Sequence, residues 1–146
     1  MTDSFSNSVS IIIPTLNEEE NIGPLVSEIT ACAVPFREIL FVDDHSTDAT
    51  RDKIHALARS RPIRLIEQDG AGPGLATAIM LGARAARGEI LLVMDADLSH
   101  PPERIKDLLA PLFAGTADLV VGSRYTRGGS TEGWPTWRRI VSATFL

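Results

Sequence analysis

The sequence predicts an α/β fold built on a mostly parallel sheet with helices on both faces, and three observations carry that expectation. Short, almost wholly apolar runs at residues 9–13 (VSIII), 38–42 (EILFV), 63–67 (IRLIE), 89–94 (EILLVM) and 118–121 (DLVV) have the length of strands and the character of strands covered on both sides. Between these runs apolar residues recur at helical spacing, and strands alternating with helices make a parallel sheet. Polar clusters, most of them acidic, follow the first, second, fourth and fifth runs. In open parallel sheets ligands bind outside the carboxyl ends of the strands, so these clusters are expected to converge on one crevice.

The first run stops at Pro14, which cannot donate to a ladder, and the chain leaves through Thr15, Leu16, Asn17 and Glu18. Ile22, Leu25, Val26 and Ile29 then form a helical face, with Asn17 as its N-cap and Glu18 to Glu20 near the positive end of its dipole. Cys32 lies in this helix as a core residue. The second strand ends in VDDHSTDAT, where Ser46, Thr47 and Asp48 can cap a helix whose inner face is Ile54, Leu57 and Ala58. Asp43 and Asp44 precede that cap, where a carboxylate can accept hydrogen bonds from a base or ribose.

After the third strand, Gly70-Ala71-Gly72-Pro73-Gly74 imitates the dinucleotide fingerprint G-x-G-x-x-G. Gly74 comes one residue early, Leu75 stands in the third glycine's place, and the fingerprint belongs after a first strand. The glycines instead suit a loop lying close to a ligand or to the small-residue helix at 74–86. His45, His55 and His100 have no partner at a recognisable spacing and read as loop or surface residues.

The fourth strand ends abruptly at Asp95 and Asp97, within GEILLVMDADLSHPPE. Two carboxylates two residues apart just past a strand can hold a hard divalent cation bridging a diphosphate, whereas the plain alternative is a solvated acidic turn before the helix that Pro101 and Pro102 open. Ile105, Leu108, Leu109, Leu112 and Phe113 make the apolar face of that helix, which is expected to end near Gly115. Residues 126–133 are glycine-rich. Residues 134–146 form an amphipathic segment in which Trp137, Ile140, Val141 and Phe145 stand beside Arg138 and Arg139, the residue types of a membrane interface.

The length of 146 residues fits one domain (1–146, with 1–8 expected to be flexible), and 44% hydrophobic residues are enough to build its core. A formal net charge of −5 argues against a nucleic-acid binder, which needs a basic surface to displace counterions. With a single cysteine there is no disulfide framework, so a reducing, cytoplasmic setting is expected. No run of about 18 apolar residues and no basic leader appears, so neither a membrane span nor an export signal is expected.

The ordered set IIIPTLNEEENI, FVDDHSTDAT, EILLVMDADLSHPPE and VVGSRY resembles the family 2 glycosyltransferases of GT-A fold, a Rossmann-like arrangement. DADLSHPPE followed by GSRY, GW and RR is most similar to the branch that transfers sugars to polyprenyl phosphates, the dolichol-phosphate mannosyltransferase type. The resemblance runs from about Val9 to Leu146. It implies a nucleoside-diphosphate sugar donor with GDP-mannose foremost, a polyprenyl phosphate acceptor, Mg²⁺ or Mn²⁺, and inversion at the anomeric carbon. It places Pro14, Leu16, Glu18, Val42 and Asp44 around base and ribose, and Asp95, Ala96 and Asp97 at the diphosphate. The metal falls to Asp95, Asp97 and Ser99, and the catalytic contacts to Asp97 and Arg124, the arginine at phosphate. A lipid acceptor also implies peripheral attachment at the cytoplasmic face of a membrane.

Two features depart from the branch. Leu16 stands where an aromatic residue is common, and the sequence stops where relatives continue, so a truncated catalytic domain is expected. The alternatives are a nucleotide-sugar-binding module without catalysis, or a family 2 transferase to a sugar hydroxyl, which needs a carboxylate base with no evident place before Leu146. A nucleotidyltransferase would carry a basic glycine-rich loop after the first strand, where PTLNEEEN is acidic.

Overall fold

A computed structural model describes residues 8–69, 72 and 74–123. The elements run β1 (Val9–Thr15), α1 (Ile22–Ala31), β2 (Glu38–Asp43), α2 (Thr50–Ala58), β3 (Ile63–Glu67), α3 (Leu75–Ala85), β4 (Ile90–Val93) and α4 (Ile105–Phe113), with one 3₁₀ turn at Pro102–Arg104 before α4. All strand pairs are parallel, in the order β3-β2-β1-β4, which confirms the α/β parallel-sheet expectation.

Alternation along the strands divides the core in two. Ile11, Ile13, Ile39 and Phe41 meet Ile22, Leu25, Val26 and Ile29 of α1, Ile54 of α2, and Ile105 and Leu109 of α4. Cys32 packs at the margin of this cluster. Ile12, Leu40 and Val42 on the opposite face meet Ala78 of α3. That helix lies close to the sheet because Gly82 has no side chain; a Cβ there would come within 2.5 Å of Ile12 Cγ2.

Pro14 does not end β1. Ile12 O accepts from Met94 N on the β4 side, so Pro14, two residues on, also turns that way, and β4 pairing has stopped by then at Ile12 and Val93. Its missing N–H therefore breaks no ladder bond, and the strand continues to Thr15, whose carbonyl accepts from Asp44 N.

Two expectations are corrected. Among the described residues β4 stands at the edge of the sheet rather than at its centre, with Leu92 and Met94 buried but Leu91 and Val93 partly exposed. Residues 118–121 form no strand; Leu119 and Val121 are 80% and 75% exposed. Apolar β-branched character alone does not make a strand without a ladder to join, and among the described residues no strand pairs with the outer edge of β4. The helix end at Gly115 is as expected. Gly115 takes φ 65°, Gly115 N reaches Leu112 O and Thr116 N reaches Pro111 O, a Schellman closure.

The amino end of the sheet is fastened by a buried carboxylate. Glu38 accepts from Ser10 Oγ (2.9 Å), Arg87 N (2.7 Å) and Arg64 Nη1 (2.8 Å). Burial pushes its pKa up, but the bonds from Arg64, Arg87 and Ser10 outweigh that and hold it below its ordinary value. One charged group thus ties β1, β2, β3 and the approach to β4 together.

Candidate functional site

The strand order reverses at β1: β2 and β3 follow on one side and β4 lies on the other. The crevice outside the carboxyl ends of β1 and β4 is therefore the topological switch point, where open α/β sheets bind ligands. The loops after β1, β2 and β4 bring every acidic cluster singled out above, among the described residues, to this end of the sheet.

The first two loops are laced together. Asn17 N donates to Ser46 Oγ (2.8 Å), Glu18 N to Thr50 Oγ1 (2.8 Å) and Glu19 N to Asp48 Oδ2 (3.2 Å). In return Thr47 N donates to Asn17 Oδ1 (2.8 Å) and Ala49 N to Glu19 Oε2 (2.8 Å). Asn17 is thus not the N-cap of α1, which starts at Ile22 after Asn21 without a side-chain cap. Glu19 instead satisfies an amide at the start of α2, a cap supplied from another loop, while Asp48 accepts from Thr50 N as expected of a cap.

Three of the four non-glycine residues with positive φ among those described lie in these loops: Asn17 (55°), His45 (64°) and Leu98 (59°). A left-handed conformation costs a β-carbon residue about 1–2 kcal/mol, least for asparagine, so surrounding bonds must hold it. At Leu98 that bond is Ser99 N to Asp97 Oδ1 (2.9 Å), together with packing of the leucine against the core.

The residues expected at base and ribose divide by exposure. Leu16 is 53% exposed. Glu18 already accepts from Asn21 Nδ2 (2.6 Å). Val42 is wholly buried, and so is Ala96, the residue expected at the diphosphate, so neither presents a side chain to the crevice. Asp43 is wholly buried; burial pushes its pKa up, but Ser46 and Arg51, whose Nε lies 2.6 Å from Oδ2, hold it lowered. Asp44 is the carboxylate that reaches the crevice. Its Oδ2 accepts from Gly74 N (2.9 Å), and His45 Nδ1 lies 3.1 Å from Oδ1.

Past β4, Asp95 and Asp97 flank buried Ala96 and both reach solvent. Burial raises the Asp97 pKa, but the Ser99 hydroxyl and amide and then the charge of His100 outweigh it, so its carboxyl is lowered and ionised. His100 is not a bystander: Asp95 N donates to its Nδ1 (3.1 Å), and its Nε2 lies 3.6 Å from Asp95 Oδ2. Among the described residues no three acid, histidine or cysteine groups converge as a closed metal cage. Mg²⁺-like ions keep water and substrate phosphate in their shell and need only one or two carboxylates, so the donor set fits such an ion. Arg124 and residues 134–146 lie outside the described residues.

The parallel sheet with acidic loops at its switch point is shared with solved glycosyltransferases, which makes this a domain of the GT-A kind. Glucosyl-3-phosphoglycerate synthase from Mycobacterium tuberculosis, solved with Mn²⁺, UDP and glucosyl-3-phosphoglycerate, superposes at TM-score 0.62 and 26% identity, over 73% of this chain and 39% of that one. The chain belongs to Glycosyl transferase family 2, whose sequence pattern matches residues 10–144. Dolichol-phosphate mannosyltransferase of Pyrococcus furiosus is 42% identical over 135 residues, 92% of this chain and 38% of that protein. Polyprenol monophosphomannose synthase of Mycolicibacterium smegmatis is 43% identical over 135 residues, 90% of this chain and 50% of that protein. The chain thus spans half or less of the length of these two relatives.

Proposed function

We propose that this chain supplies the donor-binding half of an enzyme that transfers mannose from GDP-mannose, with inversion, to a polyprenyl phosphate. One observation carries the reading: over nine-tenths of its length the chain is more than 40% identical to a dolichol-phosphate mannosyltransferase and a polyprenol monophosphomannose synthase, names that give the sugar and the lipid acceptor. Asp95 and Asp97 just past β4 at the switch point, with Asp44 next to the end of β1, support it.

In this reading Pro14, Leu16, Glu18 and Asp44 line the base and ribose, with Val42 buried behind them, and Ala96 lies at the diphosphate between Asp95 and Asp97. Asp95, Asp97 and Ser99 hold Mg²⁺ or Mn²⁺, which when bound neutralises charge on the departing diphosphate. Asp97 enters already ionised and fixed through Oδ1 by Ser99 N, so the carboxylate is set before the ligand arrives. Arg124 adds a guanidinium fork for phosphate oxygens. The acceptor is a phosphate monoester with a second pKa of about 6, largely an anionic nucleophile at neutral pH, so no carboxylate base is required. The protein's work is alignment of that phosphate with the anomeric carbon.

A lipid acceptor places the crevice at a membrane surface. No described helix is long and apolar enough to cross a bilayer. In this reading the aromatic and basic residues of 134–146 supply peripheral attachment. The alternative is a nucleotide-sugar-binding module without catalysis, which would use the same acidic loops for the donor.

Calorimetry with GDP-mannose, UDP-glucose and GDP-glucose, each with and without Mn²⁺, followed by extraction of lipid-linked mannose after adding polyprenyl phosphate, tests both. Metal-dependent binding of GDP-mannose with mannolipid formed supports the transferase; the same binding with no mannolipid supports the module. Preference for UDP-glucose would overturn the donor assignment.

A further inference from the structure

Gln68 is 1% exposed, an uncharged polar side chain among the largest fully buried ones, directly after β3. Its backbone is fixed to β2 through Gln68 N and Asp43 O (3.0 Å). The amide orientation that pairs donors with acceptors puts its nitrogen 2.7 Å from Asp44 Oδ1 and its oxygen 2.9 Å from Ala78 N in α3. Asp44 is therefore held from three sides, by Gln68 and His45 at Oδ1 and by Gly74 N at Oδ2. A carboxylate has about four acceptor positions, so about one remains for a ligand, and Gln68 and Gly74 decide which.

We propose that Gln68 is a positioning residue for nucleoside recognition: it turns Asp44 so that its remaining lone pair meets a single N–H or O–H donor on the base or ribose. The proposal rests on the reading of Asp44 as a nucleoside contact. It goes beyond that reading by making selectivity a property of a side chain that touches no ligand. It also links the ligand to α3, because Gln68 Oε1 shares the Ala78 amide with Gly74 O (3.1 Å), and Gly74 itself bonds Asp44. Gly74 thus contributes by clasping an acidic residue of the neighbouring loop.

The test compares GDP with inorganic diphosphate, both with Mn²⁺, by calorimetry on the wild-type chain, Gln68→Met, Asp44→Asn and the double variant. Methionine keeps the length and removes both hydrogen bonds. Gln68→Met is expected to weaken GDP about tenfold and leave diphosphate unchanged, since only the nucleoside depends on Asp44. The double variant is expected to lose little more than Asp44→Asn alone, because both changes break one network. Equal losses for GDP and diphosphate would reduce Gln68 to a structural residue and overturn the proposal, as would additive losses in the double variant. If Asp44→Asn weakens GDP and Gln68→Met does not, the proposal alone fails; if Asp44→Asn leaves GDP unchanged, or wild type binds no GDP, the reading beneath it fails as well.

Discussion

Asp97→Asn is expected to abolish the Mn²⁺-dependent part of GDP binding. The loss is at least the ~10–100-fold that removing even an outer partner of a metal site costs. The amide keeps the size of the carboxylate and one oxygen, so the backbone around Leu98 can stay in place while the charge that a hard cation requires is gone. Asp95→Asn should cost less. Asp95 already faces His100, whereas Asp97 is held ionised by Ser99. Calorimetric titrations of GDP with and without Mn²⁺ check this; a metal dependence that survives in Asp97→Asn would remove the residue from the site.

The second large effect is on stability. Gly88→Ala is expected to destabilise the fold by about 3 kcal/mol, the upper end of what overpacking costs. A Cβ at Gly88 would stand 2.5 Å from Ser8 O and 2.6 Å from Ser10 N. Both are backbone atoms at the start of β1, and Ser8 O accepts the ladder bond from Ile90 N (2.8 Å), so relief requires prising β4 from β1. Gly23→Ala is the control: it lies within α1 with nothing near its Cβ, and should be neutral or stabilising by up to about 1 kcal/mol. Urea unfolding of the two variants measures the difference; similar midpoints would contradict the packing described at Gly88.

These cases show what the sequence could and could not disclose. Strands β1, β2 and β3 and the Gly115 helix end were legible because each is written locally, in an apolar run or in a glycine that takes a left-handed turn. The status of β4 was not legible, since ILLV reads the same whether Leu91 and Val93 meet a helix or water. Residues 118–121 failed as a strand for the converse reason, that a strand needs a neighbour that composition does not reveal.

At the site, the acidic loops announced themselves through aspartates just past apolar runs. The division of labour within them did not: Asn17 and Glu19 look like local caps, and only the fold shows them bonded to the loop after β2. Asp43 and Asp44 are adjacent and chemically identical, yet Arg51 consumes one and the other reaches the crevice. Gln68 had no signal at all, and the pairing of Glu38 with Arg64 had almost none, because their partners are remote in sequence. A charged residue opening an otherwise apolar strand, as Glu38 does, is the one hint that was there to be followed.

The central claim is that a divalent ion and a nucleoside diphosphate meet at the carboxyl end of β1 and β4. Paramagnetic broadening of amide signals by Mn²⁺ in the presence of GDP tests it most directly, since the ion reports its own position. Signals of residues 95–100 are expected to broaden first and those of residues 16–18 and 44–46 next. Arg37, Arg64 and Arg87, at the opposite end of the sheet around Glu38, should stay sharp. Broadening centred on those arginines, or spread evenly over the acidic surface, would contradict it.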